Sequence, residues 1–160
     1  MTKLLLLAIV SLVALCAATG ATAAVVTETQ HIHGTFSDPN FTDVNPCNGS
    51  AITSFEADGN LILHHTYFVE DGEITGVRTS FTETGKVAIS DASGVSYGGH
   101  FTLCANFHLT DRASSEAVTL TIRVKGSDGS TILGHELQHF SMNANGEVTA
   151  EFDRMRLTCA

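Results

Sequence analysis

Positive charge is scarce in this sequence. Eight lysines and arginines stand against 17 aspartates and glutamates, so the formal net charge is −9 at pH 7. Nucleic acids and anionic membranes attract basic surfaces and repel an acidic chain. We therefore expect no nucleic-acid partner. We also expect no membrane insertion once the N-terminal segment described below is removed, because no later apolar run approaches the length of a span.

The sequence also lacks the usual signs of linkers and long helices. The chain has two prolines and no tract rich in serine and proline. No segment of helical length carries a clear apolar stripe with a period of 3.6 residues. Nothing resembles a serine nucleophile elbow, a phosphate-binding loop or a Cys/His catalytic pair. These absences favour one domain without helices.

The first residues have the pattern of a secretion signal. Lys3 precedes an uncharged apolar stretch at residues 4–15, and Ala21-Thr22-Ala23 offers the small-x-small pattern that signal peptidase cleaves. The apolar stretch is too short to span a bilayer comfortably. We predict a signal peptide at residues 1–23 and one secreted, extracellular domain at residues 24–160.

Alternation of apolar and polar residues dominates the rest of the chain. It is clearest over residues 97–109 and 117–125, and it recurs at 30–36, 61–69 and 77–81. A period of two residues is typical of strands with one buried face. Near the C-terminus the apolar parity flips, which predicts a β-bulge near Asp153-Arg154. Glycine-containing pairs predict the turns between strands: Asp58-Gly59-Asn60, Asp71-Gly72, Thr84-Gly85, Ala92-Ser93-Gly94, Asp128-Gly129 and Asn145-Gly146.

This pattern predicts an all-β fold of eight or nine long antiparallel strands. Long amphipathic strands must hide their edges, and closure into a barrel does so. We therefore expect a single antiparallel barrel of lipocalin-like architecture. A β-sandwich is the alternative, although its strands are usually shorter.

Three cysteines follow the predicted signal: Cys47, Cys104 and Cys159. Outside the cytoplasm cysteines tend to pair, and three pairings are open. We favour Cys47–Cys159, because both residues lie outside the regular strands. Cys104 lies in the middle of a strand and would remain a structural thiol. If it is accessible, it would also allow a disulfide-linked dimer.

One pentapeptide spells a zinc-protease signature. His135-Glu136-Leu137-Gln138-His139 matches H-E-x-x-H, in which a helix brings both histidines onto one metal ion and the glutamate acts as general base. Predicted hairpin turns bracket this segment, and Gly134 disfavours a helix. On a strand the two histidines would lie about 13 Å apart. We therefore expect no catalytic residue and no cofactor, and keep a zinc hydrolase using His135, Glu136 and His139 as the alternative.

A second histidine pair offers another metal hypothesis. His31 and His33 would face the same way on a strand, about 6.6 Å apart. Such a pair can chelate zinc or copper if a neighbouring strand supplies a third ligand. Polar residues on a solvent-facing strand explain the pair more simply, so we predict no metal site here.

Two segments carry a resemblance. Asn45-Pro46-Cys47-Asn48-Gly49, and the stretch at 143–149 with the terminal Arg156-Leu157-Thr158-Cys159, resemble small secreted bacterial β-proteins of unknown function. In that family an N-P-C-x-G loop follows the first strand and the chain ends on a cysteine-bearing strand. The resemblance implies a β-rich fold, supports the Cys47–Cys159 pairing and implies no activity.

The leading functional hypothesis is a non-enzymatic secreted barrel holding a small apolar ligand. Barrels of about eight strands are either filled by side chains or hold one small molecule. A cell-envelope interaction module is a further alternative.

Overall fold

The structure is a computed structural model and describes residues 23–39, 43–110 and 112–160. The predicted signal peptide lies outside the described residues except for Ala23. Within the described part no helix is long and apolar enough to cross a membrane. The fold is all-β, with eight strands as predicted: β1 (Ala24–Asp38), β2 (Asp43–Val44), β3 (Ala51–Glu70), β4 (Glu73–Asp91), β5 (Ser96–Thr110), β6 (Ser114–Gly126), β7 (Thr131–Met142) and β8 (Val148–Cys159).

All eight strands belong to one antiparallel sheet. Seven of them follow in the order β1-β3-β4-β5-β6-β7-β8, and the short β2 pairs with the beginning of β3. Each hairpin joins neighbours in the sheet, which is the meander expected from short turns. In the described residues β1 and β8 do not pair with each other, so both are edge strands and the sheet is not closed by backbone hydrogen bonds.

Four of the six turns predicted from the sequence are present in the structure. The β3–β4 turn contains Asp71 and Gly72, both with positive φ (52° and 84°), a geometry that suits a two-residue hairpin. Gly129, in the β6–β7 turn, also has a positive φ. The turns predicted at residues 92–94 and at Asn145-Gly146 are present as well.

Two predicted turns are wrong, and so is the predicted bulge. Asp58-Gly59-Asn60 lies inside β3, and Thr84-Gly85 lies inside β4, where Gly59 pairs with Gly85. These glycines allow β3 and β4 to approach each other closely and do not reverse the chain direction. The register between β7 and β8 shifts between Ser141 and Met142, and no irregularity falls at Asp153-Arg154.

The sheet has one buried face, called the inner face below. Its core comprises Ile52, Val87, Ile89, Tyr97, Phe101, Ile122, Val124 and Ile132. These residues lie where β3, β5 and β7 begin and where β4 and β6 end, next to the end of β8. This part of the sheet is called the closed end, and the opposite part, around the β3–β4 and β5–β6 turns, is called the open end.

The closed end is curled. In a flat sheet β3 and β8 would lie five strand spacings, about 24 Å, apart. Yet Cys47, four residues before β3, forms a disulfide with Cys159 at the end of β8, with the two Cα atoms 4.9 Å apart. The two sides of the sheet therefore meet at this end.

Candidate functional site

A polar loop covers the closed end. The segment between β2 and β3 contains Asn45, which is 0% exposed, and Cys47, which carries the disulfide. The Asn45 side-chain amide donates to Asp91 Oδ2 at 2.7 Å and to the Tyr97 hydroxyl at 2.7 Å. The loop is thus fixed to β4, β5 and β8 at once, and it plugs this end of the inner face.

Asp91 is the centre of this plug. Its carboxylate, 5% exposed, accepts hydrogen bonds from the side-chain amides of Asn45 and Asn48, from the N–H and hydroxyl of Ser93 and from the N–H of Val95, at 2.7–3.0 Å. Burial raises the pKa of this carboxyl, but the hydrogen bonds favour the charged form more strongly and hold its pKa well below its usual range. Asp91 is therefore a structural anion. Sequence analysis did not single out Asp91 or Tyr97, because their partners lie far away in the chain.

Glycines allow the strands to approach closely beside the core. A Cβ on Gly85 would collide with the carbonyl oxygen of Asp58 and would lie 2.6 Å from the Cα of Gly59. A Cβ on Gly59 would lie 2.9 Å from the Phe101 ring. The missing side chains leave room for that ring and for the close approach of β3 and β4. This approach lies between the closed end and the open end.

Toward the open end the inner face is only partly covered. Along β5, Tyr97, Phe101 and Ala105 are at most 7% exposed, whereas Leu109 at the open end is 57% exposed. Phe81 and Phe107 stack at 5.9 Å between ring centroids, yet both remain partly exposed. Their partly exposed apolar neighbours on the same face are Leu61, Leu63, Val77, Leu103, Val118 and Leu120.

Polar groups on this face are acidic or neutral, except for one histidine. Glu83 and Glu136 point inward beside the leucines, and Glu136 Oε1 accepts from Gln138 Nε2 at 2.6 Å. His65 Nδ1 lies 2.9 Å from the Thr79 hydroxyl. Near the edge, a cleft of about 240 Å³ is lined by Glu116, Gln138, Phe140, Glu151 and Asp153, together with His139 and Phe152.

The H-E-x-x-H segment is extended. It lies within β7, so His135 and His139 are on the outer face and Glu136 is on the inner face. Four residues of strand separate the two histidines by about 13 Å. The His139 ring instead packs on Phe152, 5.5 Å between centroids. The structure therefore does not bring the three residues together.

The other predicted candidates also lie apart from one another. His31 and His33 are exposed on β1, and His33 Nε2 lies 3.4 Å from Asp58 Oδ1. Among the described residues, no group of three or more His, Cys, Asp or Glu side chains could hold a metal ion. Cys104 is a free, partly exposed thiol on the outer face of β5, 3.9 Å from the Thr82 hydroxyl.

Comparison with known proteins gives no relative. No protein-family model, curated protein or solved structure matches this chain. The inner face of the open end, which combines partly exposed aromatic and aliphatic side chains with a few carboxylates, is therefore the candidate site on physical grounds alone.

Proposed function

We propose that this protein is a secreted, non-enzymatic binding protein that holds a small apolar molecule on the inner face of its open end. The observation that carries the proposal is the uncovered apolar surface. An amphipathic sheet must bury its apolar face against another layer, and no second layer of the described chain covers Phe81, Phe107 and Leu109. A ligand supplies that layer.

The proposal includes closure of the sheet into a barrel at the open end. The edges of β1 and β8 would approach each other around the ligand and give the lipocalin-like barrel that the strand number favours. The disulfide already joins the two sides at the closed end, so only the open end has to move. Such a disulfide is compatible with an extracellular protein.

A binding assay with matched variants tests this function. Phe107 faces inward and its neighbour His108 faces outward on the same strand. We expect the neutral dye N-phenyl-1-naphthylamine to fluoresce on binding. Phe107→Ser should weaken that binding strongly, because it removes one ring of the Phe81–Phe107 stack, and His108→Ser should leave it unchanged.

Native mass spectrometry of protein from its own host provides the second readout. We expect an adduct of a small apolar molecule that is lost on denaturation. If the dye does not bind and the protein carries no adduct, the proposal is wrong. An equal effect of both substitutions would place binding elsewhere and would also contradict it.

A further inference from the structure

Charge is segregated between the two faces of the sheet. From residue 76 of β4 to the end of β8, the inward positions carry glutamate and aspartate but no lysine, arginine or histidine. The outward positions of the same strands carry no carboxylate. Their cationic and titratable residues are Arg78, Lys86, His100, His108, Arg123, Lys125, His135, His139, Arg154 and Arg156. A protein with a net charge of −9 thus has one face without negative charge on these strands.

Five of these residues form a line across the sheet, called the cationic band below. Lys86 on β4 lies directly opposite His100 on β5, which lies opposite Arg123 on β6. The line continues one step diagonally to His135 on β7, which lies opposite Arg156 on β8. All five are exposed. With one residue on each of five strands, the band is about 19 Å long.

The permanent cations of the band lack ion-pair partners. Among the described residues, Lys86, Arg123 and Arg156 form no salt bridge, although Asp58 on β3 lies directly opposite Lys86. From residue 76 of β4 to the end of β8, the acidic side chains of the strands lie on the other face of the sheet. An anionic partner that lies along the band would supply the missing negative charges.

Hydroxyl groups accompany the cations. Thr84, Thr102 and Thr121 form a row parallel to the band, one outward position away. A cleft of about 440 Å³ lies beside the first two members of both rows and is lined by Asn60, Thr84, Lys86, His100 and Thr102, with Asp58 at its β3 side. Asp58 lies directly opposite Lys86 and marks where the face without carboxylates ends.

We propose that the cationic band binds a linear acidic polysaccharide. Lys86, Arg123 and Arg156 place one permanent cation on every second strand, which gives regularly spaced charges that match a chain with repeated carboxylates or sulfates. The threonine row can hydrogen-bond sugar hydroxyls. Nucleic acid would require exposed aromatic rings for base stacking, and a lipid surface would require apolar side chains beside the cations. Threonine lies beside the cations on β4, β5 and β6, whereas the exposed Leu133 and Leu137 flank His135 on β7. The vesicle measurement in the test below therefore separates a polysaccharide from a lipid surface.

The test uses the purified full-length protein and sodium polygalacturonate, with neutral dextran as the uncharged control. We expect binding to polygalacturonate that weakens as salt is raised and no binding to dextran. Lys86→Glu and Arg123→Glu should each weaken binding about fivefold or more. Arg78→Glu changes the net charge equally, on the same face of β4, but about 26 Å from Lys86 along the strand. It should change binding by less than about twofold.

Three results would overturn the proposal. The first is an absence of binding to polygalacturonate at low salt. The second is an equal loss in Arg78→Glu and in the band variants, which would indicate unspecific attraction. The third is equal or tighter binding to phosphatidylglycerol vesicles or to a single-stranded oligonucleotide. None of these results bears on the apolar ligand of the inner face.

Discussion

Asp91→Asn is the most informative perturbation of the closed end. The asparagine has the same shape but must place an NH₂ group where a carboxylate oxygen now accepts two hydrogen bonds (Oδ2) or three (Oδ1). If the NH₂ replaces Oδ2, it faces the amide donors of Asn45 and Asn48 at 2.7 and 2.9 Å. Asn48 is exposed and can turn to water, whereas Asn45 is fully buried. One buried donor loses its charged acceptor, and the remaining hydrogen bonds to this side chain are no longer made to a charged group. We therefore expect the free energy of unfolding to fall by about 3 kcal/mol.

The matched control is Asp128→Asn. Asp128 makes the same type of turn, accepting from the N–H and hydroxyl of Ser130 at 3.0 and 2.6 Å, but it is exposed. Urea unfolding followed by circular dichroism should show a large fall of the midpoint for Asp91→Asn and a much smaller one for the control. If the urea midpoint fell equally in both variants, the turn alone would account for the effect. That result would refute the view that Asp91 stabilises the fold because it is buried in the plug.

The same residue gives a pH dependence with a definite sign. Hydrogen bonding holds the folded-state pKa of Asp91 below the unfolded value of about 3.9. The carboxylate therefore stabilises the fold above about pH 4, and this contribution is lost as the pH falls below that value. We expect the stability difference between wild type and Asp91→Asn to narrow on acidification below about pH 4. A difference that stays constant down to pH 2.5 would contradict this.

Three further substitutions test the rest of the closed end by urea unfolding. Replacing Cys47 and Cys159 together by serine opens a loop with a sequence separation of 112. It should cost about 4–5 kcal/mol, and a cost below about 1 kcal/mol would contradict its role. Gly85→Ala should cost about 3 kcal/mol because its Cβ meets the neighbouring backbone. Gly98→Ala has open space around the new Cβ and should be neutral; equal effects would contradict the close approach of β3 and β4 at Gly85. Tyr97→Phe removes the hydroxyl that accepts from Asn45 and should cost about 1 kcal/mol, and an unchanged midpoint would argue against that bond.

The strands were predictable because their signal is local. Alternation over residues 97–109 reports directly that Tyr97 and Phe101 face inward, and the structure buries both. Asp-Gly at 71–72 likewise predicts its own turn, since the positive φ angles depend on those two residues. The extended conformation of the H-E-x-x-H segment followed from the turns that flank it.

The features that were not predicted depend on residues far away in the chain, although one distant contact, the Cys47–Cys159 disulfide, was predicted correctly. Gly59 and Gly85 have the composition of turns, and only their pairing across β3 and β4 reveals that each makes room for the other's strand. The cationic band is hidden for the same reason. Lys86 and Arg123 stand 37 positions apart in the numbering, and only strand register aligns them.

Residue-resolved amide hydrogen exchange, with and without N-phenyl-1-naphthylamine, tests the central claim most directly. In the free protein we expect the slowest exchange at the closed end, at Val87, Tyr97 and Val124, and faster exchange toward Leu109. The dye should slow exchange at residues 77–81 and 105–109 and leave the closed end unchanged. Uniform protection of the free protein, or slowing by the dye only at the closed end, would contradict an uncovered, ligand-binding inner face.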